Sequence, residues 1–498
     1  MINAYNNYSK EELITEIVDV KNDNLFLKTE LAQLKRMIFG SKSERFLPLQ
    51  DANQQTLLFS AIETIELEIK QQEIAYTRTQ TKVIEKKHQG RLALPKHLPR
   101  VEHVIEPTQT VEGLVCIGKE ITEELEYTPG KFYVNQYIRP KYVKKDAETT
   151  QIIIADLPTR PIDKGMAGAG LLASILIEKY CDHLPLHRQL QRFKRENIHV
   201  PPSTIGDWVK DSADLLEPLY NELKKQVQAS SYIMADETGI KVLDKDHDNG
   251  IQQGYYWVYR DVENKLIVFD YQDTRGGSAP INMLKNYKGF LQTDGYGVYD
   301  KYDKQNGVTL IHCMAHARRY FEKALDNDKA RAEYVLQKIQ LLYTVERFCK
   351  EQKHSYQQRY NERQIKSLPL LLELKQWLQN NINQVTPQSL IGKAIAYTFS
   401  RWDKLCTYAH HGQLEIDNNP VENAIRPVAL GRKNYLFAGS HQAAQRAAIV
   451  YSLIATCKAN NREPYAWLKN TLHTINDCKA NKLYQLLPIA SNANSIAQ

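Results

Sequence analysis

Five short apolar stretches between residues 231 and 316 constrain the fold of this chain more than any other feature. They read SYIMADET (231–238), GYYWVYRD (254–261), KLIVFDYQ (265–272), GFLQTDGYG (289–297) and VTLIHCM (308–314). Each is strand length, rich in β-branched and aromatic residues, and bounded by polar or glycine-containing turns. The fifth leads directly into HARRYFEKAL, which has helical spacing. The first and fourth end in acids, Asp236 and Asp294.

Five strands with interposed helices fit a multidomain α/β chain whose core is RNase H-like. In such a core strands one and four lie side by side, which would bring Asp236 and Asp294 to adjacent strand ends. Two carboxylates so placed can hold a pair of divalent ions about 3.5–4 Å apart. One ion would activate water or a 3′-OH, and the other would stabilise the leaving oxygen in an in-line attack on a phosphodiester. All-oxygen ligands suit Mg²⁺. A third carboxylate is expected from EIDNNPVENAIRPVALGRKNYLFAGS (415–440), where Asp417-Asn418-Asn419-Pro420 has the form of a helix N-terminus. Glu422 would lie in the first turn and Arg426 one turn on along the same face. On spacing alone Glu415 and Asp417 compete with Glu422. Arg426, Arg432 and Lys433 follow at once, as a phosphate-bearing substrate requires. Residues 325–400 are polar and helical in pattern, so a helical insertion precedes this segment.

The N-terminal half reads differently. Leu13, Val20, Leu27 and Leu34 interleave with Ile17, Asn24, Leu31 and Ile38 as the d and a positions of a coiled coil. Asn24 is the polar a residue that favours two parallel strands, and Glu16, Asp23 and Glu30 at g can pair with Lys21, Lys28 and Lys35 at e. At least a dimer is expected from residues 1–76, which include a second Gln- and Glu-rich helix at 52–75. Residues 77–100 form a polar, basic linker, suited equally to tracking phosphates and to solvent. Short strands at 101–160 suggest a small β domain. From 161 to 228 the pattern is helical: AGLLASILIEKY, then PLHRQLQRFKRE, a turn through Asn197–Pro202, and a third helix, STIGDWVKDSAD (203–214), that begins at Ser203-Thr204 with a capping box from Thr204 to Asp207. This spacing suits a helix-turn-helix, with Arg188, Arg192, Lys194 and Arg195 on the basic outer face of its second helix. A plain three-helix bundle would show the same pattern.

Composition excludes several classes. Charged residues at 25% and hydrophobic ones at 42% are ordinary for a globular chain, which rules out wholesale disorder. The net charge of +7 permits a polyanionic partner without demanding one. The longest apolar run, Ala167–Ile177, is too short to span a bilayer, so no membrane partner is expected. Seven scattered cysteines without a C-x-x-C pair point to a reducing cytoplasm. Cys313-x-x-His316, with His312 beside it, reads as a packing or hydrogen-bonding element, because further metal ligands are not evident. Asp244, Asp246 and Asp248 are spaced like a calcium loop, but position twelve is Tyr255, so a hairpin loop is expected.

The runs MADET, LQTDGYGVYD, HCMAHARRYF and IDNNPVENAIRPVALGRKNYLFAGS resemble the DDE transposases of insertion-sequence family sixty-six. The resemblance extends to LKRMIFGSKSERF, to EELEYTPGKFYVNQYIRPKY in the place of a small zinc-binding domain, to the helix-turn-helix region, and to NREPYAWLKNTLHTI and NKLYQLLP near the C-terminus. It implies a catalytic and metal-binding triad of Asp236, Asp294 and Glu422, with Mg²⁺ as cofactor and Mn²⁺ as a substitute. It further implies DNA cleavage at element ends and strand transfer into target DNA in a nucleoid-associated, cytoplasmic protein, with accessory small proteins of the same element as candidate partners. The catalytic core would span 229–445 and a C-terminal helical tail 446–498. Arg318 and Arg319 are further DNA-contact candidates. The family's C-x-x-C pairs are missing here and Cys116 stands alone, so a structural zinc is not expected. The alternatives are a DNA-binding regulator or inactive remnant without strand transfer, and a nuclease that cuts without joining.

Overall fold

A computed structural model describes residues 130, 132–135, 141–143, 152–154, 158–163, 165–247 and 250–489. The heptad residues, the 52–75 helix, the basic linker and Cys116 lie outside the described residues. The chain divides into two units, 61–157 and a larger one comprising 1–60 and 158–498. In the smaller unit β1 (Lys141–Val143) pairs antiparallel with β2 (Ile152–Ile154), Lys141 opposite Ile154.

The larger unit opens with α1 (Ala169–Tyr180), α2 (Leu186–Arg195) and α3 (Pro202–Gln228). Helix α2 is strongly amphipathic, burying Gln189 and Phe193 and exposing Arg188, Lys194 and Arg195. The Gln189 side-chain amide donates to Ile175 O and Leu184 O, at 3.2 and 3.0 Å, joining α1 to α2. Asn197 turns the chain with a φ of 58°.

The third helix differs from expectation in two ways. It begins at Pro202 with Pro201 as N-cap and no side-chain cap, so the Thr204–Asp207 capping box does not form. The fixed φ of proline pre-organises the first turn instead. It also runs for 27 residues rather than ending near Asp214. Leu216, Leu219, Leu223 and Val227, spaced by three and four, bury its second half, while Tyr220 Oη donates to Phe269 O (2.9 Å) and Lys224 pairs with Asp270 (3.1 Å).

The sheet is built from β3 (Tyr232–Leu243), β4 (Ile251–Asp261), β5 (Leu266–Gln272), and, after a short α4 (Ile281–Leu284), β6 (Gly289–Thr293) and β7 (Val308–His312). Its order is β5-β4-β3-β6-β7. Strands β3 to β5 pair antiparallel as hairpins, and β6 and β7 run parallel to β3. A mixed sheet of this kind, flanked by helices, is consistent with an RNase H-like core. The β3–β4 hairpin loop carries Asp244 and Asp246, as expected; Asp248 lies outside the described residues.

Beyond β7 come α5 (Met314–Lys323), α6 (Lys329–Glu351), α7 (Tyr356–Glu362), a π-helical turn at Arg363–Ser367, α8 (Leu368–Asn381), α9 (Leu390–Ser400) and α10 (Trp402–Cys406). Helix α11 (Asn419–Tyr435), the short β8 (Phe437–Ala438) on β3, α12 (His441–Ala459) and α13 (Pro464–Thr474) complete the unit. Helix α12 runs through the expected boundary at 445/446 and lies against the edge strand. Its Ser452 and Thr456 hydroxyls accept from Phe269 N (2.8 Å) and Ile267 N (3.1 Å), covering polar groups that an open edge would expose. The sheet core thus depends on helices from both sides of the expected catalytic region. Among the described residues the cysteines are free, and no helix is long and apolar enough to cross a membrane.

Candidate active site

Strand register places the two aspartates. Tyr232 pairs with Phe290 and Met234 with Gln292, an offset of 58 residues that equals the separation of Asp236 and Asp294. Both therefore stand level, two residues past the last paired row. Asp236 Oδ1 accepts from Glu237 N (2.8 Å), and Asp294 Oδ1 from Tyr296 N (2.9 Å). Burial pushes the Asp236 carboxyl well above its usual range, reinforced by the charges of Asp294, Glu237 and Glu422. The turn after Asp294 needs glycine: Gly295 has a φ of +89°, and a Cβ there would meet Arg401 Nε at 2.9 Å. Tyr397 Oη donates to Asp294 O (2.7 Å) and Arg401 Nη2 to Gly295 O (3.2 Å), so the helices before α11 hold this turn.

The Asp-Asn-Asn-Pro stretch is stitched to the sheet. Asn418 is fully buried; its Nδ2 donates to Ala235 O, and its N–H to Cys313 Sγ, each at 3.1 Å. Met314 N donates to Ile416 O (3.1 Å), and Arg260 Nη1 to Pro420 O (3.2 Å). Helix α11 therefore starts beside the residue preceding Asp236, and Glu422 lies in its first turn. Its charge acts on Asp236.

The two competing carboxylates have other partners. Both Glu415 oxygens accept from Arg359 at 2.9 Å. Asp417 Oδ2 accepts from Tyr343 Oη (2.9 Å) and Asn419 Nδ2 (2.8 Å), and Oδ1 from Asn419 N (3.0 Å). Glu422 instead has one anchored and one open oxygen. Arg319 Nη2 donates to Oε2 (2.7 Å), whereas Oε1 is buried without a hydrogen-bond partner among the described residues.

His316 Nδ1 faces that Oε1 at 3.8 Å, and Arg319 Nη1 lies 3.1 Å from His316 Nε2. Since arginine can only donate, the ring proton belongs on Nδ1. Cys313, His316 and Glu422 each present a donor atom within 4.8 Å of the others. Glu422 is thus the third neighbour that the spacing of Cys313 and His316 alone did not show. The contacts of Cys313 with Asn418 and of His316 with Arg319 make this a hydrogen-bonded cluster. His312 is buried, with neither ring nitrogen partnered among the described residues.

The expected DNA contacts separate by environment. Arg188 and Arg195 are exposed on α2, but Arg192 pairs with Glu178. Arg318 pairs with Glu322 at 3.2 Å, and Arg319 with Glu422. Arg432 donates to Gly239 O, while Arg426 and Lys433 are exposed on α11. Two residues were missed. Glu237 adjoins Asp236 with its side chain 3% exposed, and Arg275 holds its Oε1 at 2.6 and 3.0 Å. The second acid of MADET was a signal for Glu237; Arg275 sits in a loop without periodicity.

Divalent metal fits this donor set. Asp236, Asp294 and Glu422 offer hard oxygen ligands, a cation would offset the burial and the neighbouring charges that raise Asp236, and Glu422 Oε1 is a buried acceptor without a donor among the described residues. Structural zinc fits poorly at residues 109–143. A family model described as the zinc-finger binding domain of transposase IS66 matches residues 109–143, against the expectation of no zinc. That segment contains Cys116 as its one cysteine and no histidine, short of the four ligands of a structural zinc site.

Other family models match most of the chain. Residues 164–446 match the transposase IS66 family, 452–489 the IS66 C-terminal element, and 27–102 a model described as transposase C of IS166 homeodomain. Uncharacterized protein y4jD of Sinorhizobium fredii is 30% identical over 98% of this chain and 99% of its own length. Uncharacterized protein y4hP of the same organism is 30% identical over 93% of this chain and 88% of its own. No solved structure matches. With its long central match and its end-to-end relatives, this chain belongs to the transposase IS66 family.

Proposed function

We propose that the chain is a divalent-metal-dependent DDE transposase that cuts element ends and joins them to target DNA. The observation that carries this reading is that Asp294, on the adjacent strand, and Glu422, on the last core helix, lie near enough to the buried Asp236 carboxyl for their charges to raise it. Mg²⁺, or Mn²⁺ in its place, held there would supply the positive charge that activates a hydroxyl nucleophile and neutralises the leaving oxygen.

The chain's own groups orient that chemistry. Arg319 holds the Glu422 carboxylate, Asn418 ties its helix to β3, and Tyr397 with Arg401 fixes the turn behind Asp294. In the first step water attacks the phosphorus at the element end. A P–O bond forms, the bond to the 3′-oxygen breaks, and a free 3′-OH remains. In the second step that 3′-OH attacks a target phosphodiester and displaces a target 3′-oxygen. Residues 13–38 would pair two chains, and Arg188, Arg195, Arg426 and Lys433 would contact DNA phosphates. Residues 161–228 would act as the end-binding region, 229–445 as the core and 446–498 as its C-terminal support.

The test uses the purified full chain, Mg²⁺ or Mn²⁺, and DNA carrying the element ends, with the element's accessory proteins supplied. Cut ends bearing a 3′-OH and joined target strands are expected. Binding without a cut under every one of these conditions would leave the DNA-binding regulator as the better reading.

A further inference from the structure

The loop joining β5 to α4 carries the sequence Thr274-Arg275-Gly276-Gly277-Ser278, to which neither the strand pattern nor the acidic triad gives a role. It is pinned to the segments bearing both aspartates. Arg275 donates two hydrogen bonds to Glu237, the residue after Asp236, and its guanidinium lies over the Tyr296 ring at 4.3 Å, two residues after Asp294. Tyr296 Oη donates back to Arg275 O (3.3 Å), and Lys301 Nζ holds Gly277 O.

Pinned in this way, the loop still presents unused donors. The Arg275 side chain is 47% exposed, and its Nη1 makes no hydrogen bond among the described residues. The exposed Gly277 and Ser278 N–H groups likewise have no partner there. The fold does not require the two glycines. Neither has a positive φ; a Cβ on Gly277 would meet only Lys301 Nζ, at 4.0 Å, and one on Gly276 only side-chain oxygens, the nearer at 3.4 Å. Glycine with open space above it and free N–H groups beside an arginine is the pattern by which backbone approaches a phosphate closely.

The site also needs such a group. Asp236, Glu237, Asp294 and Glu422 form a field that repels a phosphodiester, and Arg319 is occupied by Glu422. We propose that the Arg275–Ser278 loop is a phosphate-binding loop that grips a DNA backbone phosphate at the entrance to the acidic site. Arg275 supplies the charge-assisted bonds, and Gly277 and Ser278 the backbone N–H groups. The aromatic face of Tyr296 and the carboxylate of Glu237 fix the guanidinium plane beforehand, so little side-chain freedom is lost on binding. The inference rests on the proposed function for its ligand, because DNA is the polyanion that this acidic site would act upon.

The test compares the full chain with Arg275→Ala and Gly277→Ala. Binding to an element-end duplex is titrated against salt without divalent metal, and cutting is then measured with Mg²⁺. Arg275→Ala should reduce the slope of log affinity against log salt by about one, for one lost phosphate contact. Gly277→Ala adds a methyl into open space, so its Tm should match that of the unaltered chain while DNA affinity and cutting fall several-fold. Loss with uncut ends assigns the phosphate to the element end; loss only with pre-cut ends joining target DNA assigns it to the target. A salt slope for Arg275→Ala that is unchanged both with uncut ends and with pre-cut ends on target DNA, or binding and cutting by Gly277→Ala that are unchanged with both, overturns the loop's role. Absence of cutting in the unaltered chain refutes the proposed function instead, while the salt-slope comparison still decides the loop.

Discussion

The two aspartates and Glu422 reach the same place by different physics. Asp236 and Asp294 sit on adjacent parallel strands, where a backbone ladder with an offset of 58 residues fixes their relative height. Glu422 sits on a helix that makes no ladder with either. Its position depends on side chains: Asn418 on Ala235, Arg319 on its carboxylate, and a buried brace behind the preceding loop. In that brace Arg363, fully buried, donates to Glu346 and to the backbone oxygens of Tyr408, His411 and Leu414. Strand-borne groups are therefore placed by register, and the helix-borne group by a clasp assembled from distant parts of the chain.

The largest test of this contrast is chemical. Glu422→Gln keeps size and removes charge, and should lower end cutting by roughly three orders of magnitude while leaving DNA binding intact. Asp236→Asn should do the same if the three acids act as one unit. A gel-based strand-cleavage assay decides it, and near-normal cutting by either variant would remove that residue from the triad.

Next in size is the brace. Arg363→Met removes a buried cation, leaves Glu346 to Arg359, and strands the backbone oxygens of Tyr408, His411 and Leu414, which should together cost about 3–5 kcal/mol of stability. Denaturant unfolding measures this, and a loss below about 1 kcal/mol would show that the clasp is not held there.

A pH-dependent effect should follow at Asp417. Burial, then the charges of Glu415 and Glu422, push its carboxyl up to about 6, against hydrogen bonds from Asn419 and Tyr343. A raised folded-state value means that its stabilising contribution is complete below the unfolded value, about 3.9, and lost as pH rises through about 6. Metal-free Asp417→Asn should therefore gain up to about 3 kcal/mol over the unaltered chain at pH 8, and nothing at pH 3. Parallel stability curves for the two proteins would contradict the buried environment of Asp417.

The smallest effect belongs to Glu415→Gln. Burial opposes its charge, but Arg359 outweighs burial and holds the carboxyl below its usual range. The pair is partly exposed and Arg359 retains Glu346, so the loss should be about 1 kcal/mol or less, with cutting preserved. Because the folded value is depressed, this contribution is present above the unfolded value and fades as pH falls through the folded one. Abolished cutting would bring Glu415 back as a metal ligand.

Legibility in the sequence followed how local each signal was. The five strands could be read because apolar residues and turn residues alternate within a few positions. Asp236 and Asp294 were visible as acids ending apolar runs, and Glu422 as an acid just inside a proline-marked helix start. The capping box failed because Pro201 and Pro202 already supply the first-turn geometry. The length of α3 was missed because its second half is amphipathic toward a sheet contributed by later residues. Arg192, Arg319 and Arg432 looked like phosphate contacts in one dimension, yet the fold gives each an internal partner. Arg275 had no periodic context, and only its neighbours in space mark it.

By itself the sequence determined the strand set, the acids at the strand ends and the start of the last core helix, since these follow from side-chain alternation and turn chemistry over short spans. The tertiary structure decided which carboxylate stands open, which arginines are already paired, and how α11 is held against β3. Those outcomes depend on contacts between different elements of the fold, such as Arg319 with Glu422 and Asn418 with Ala235, and no local pattern records which distant group reaches a buried charge first.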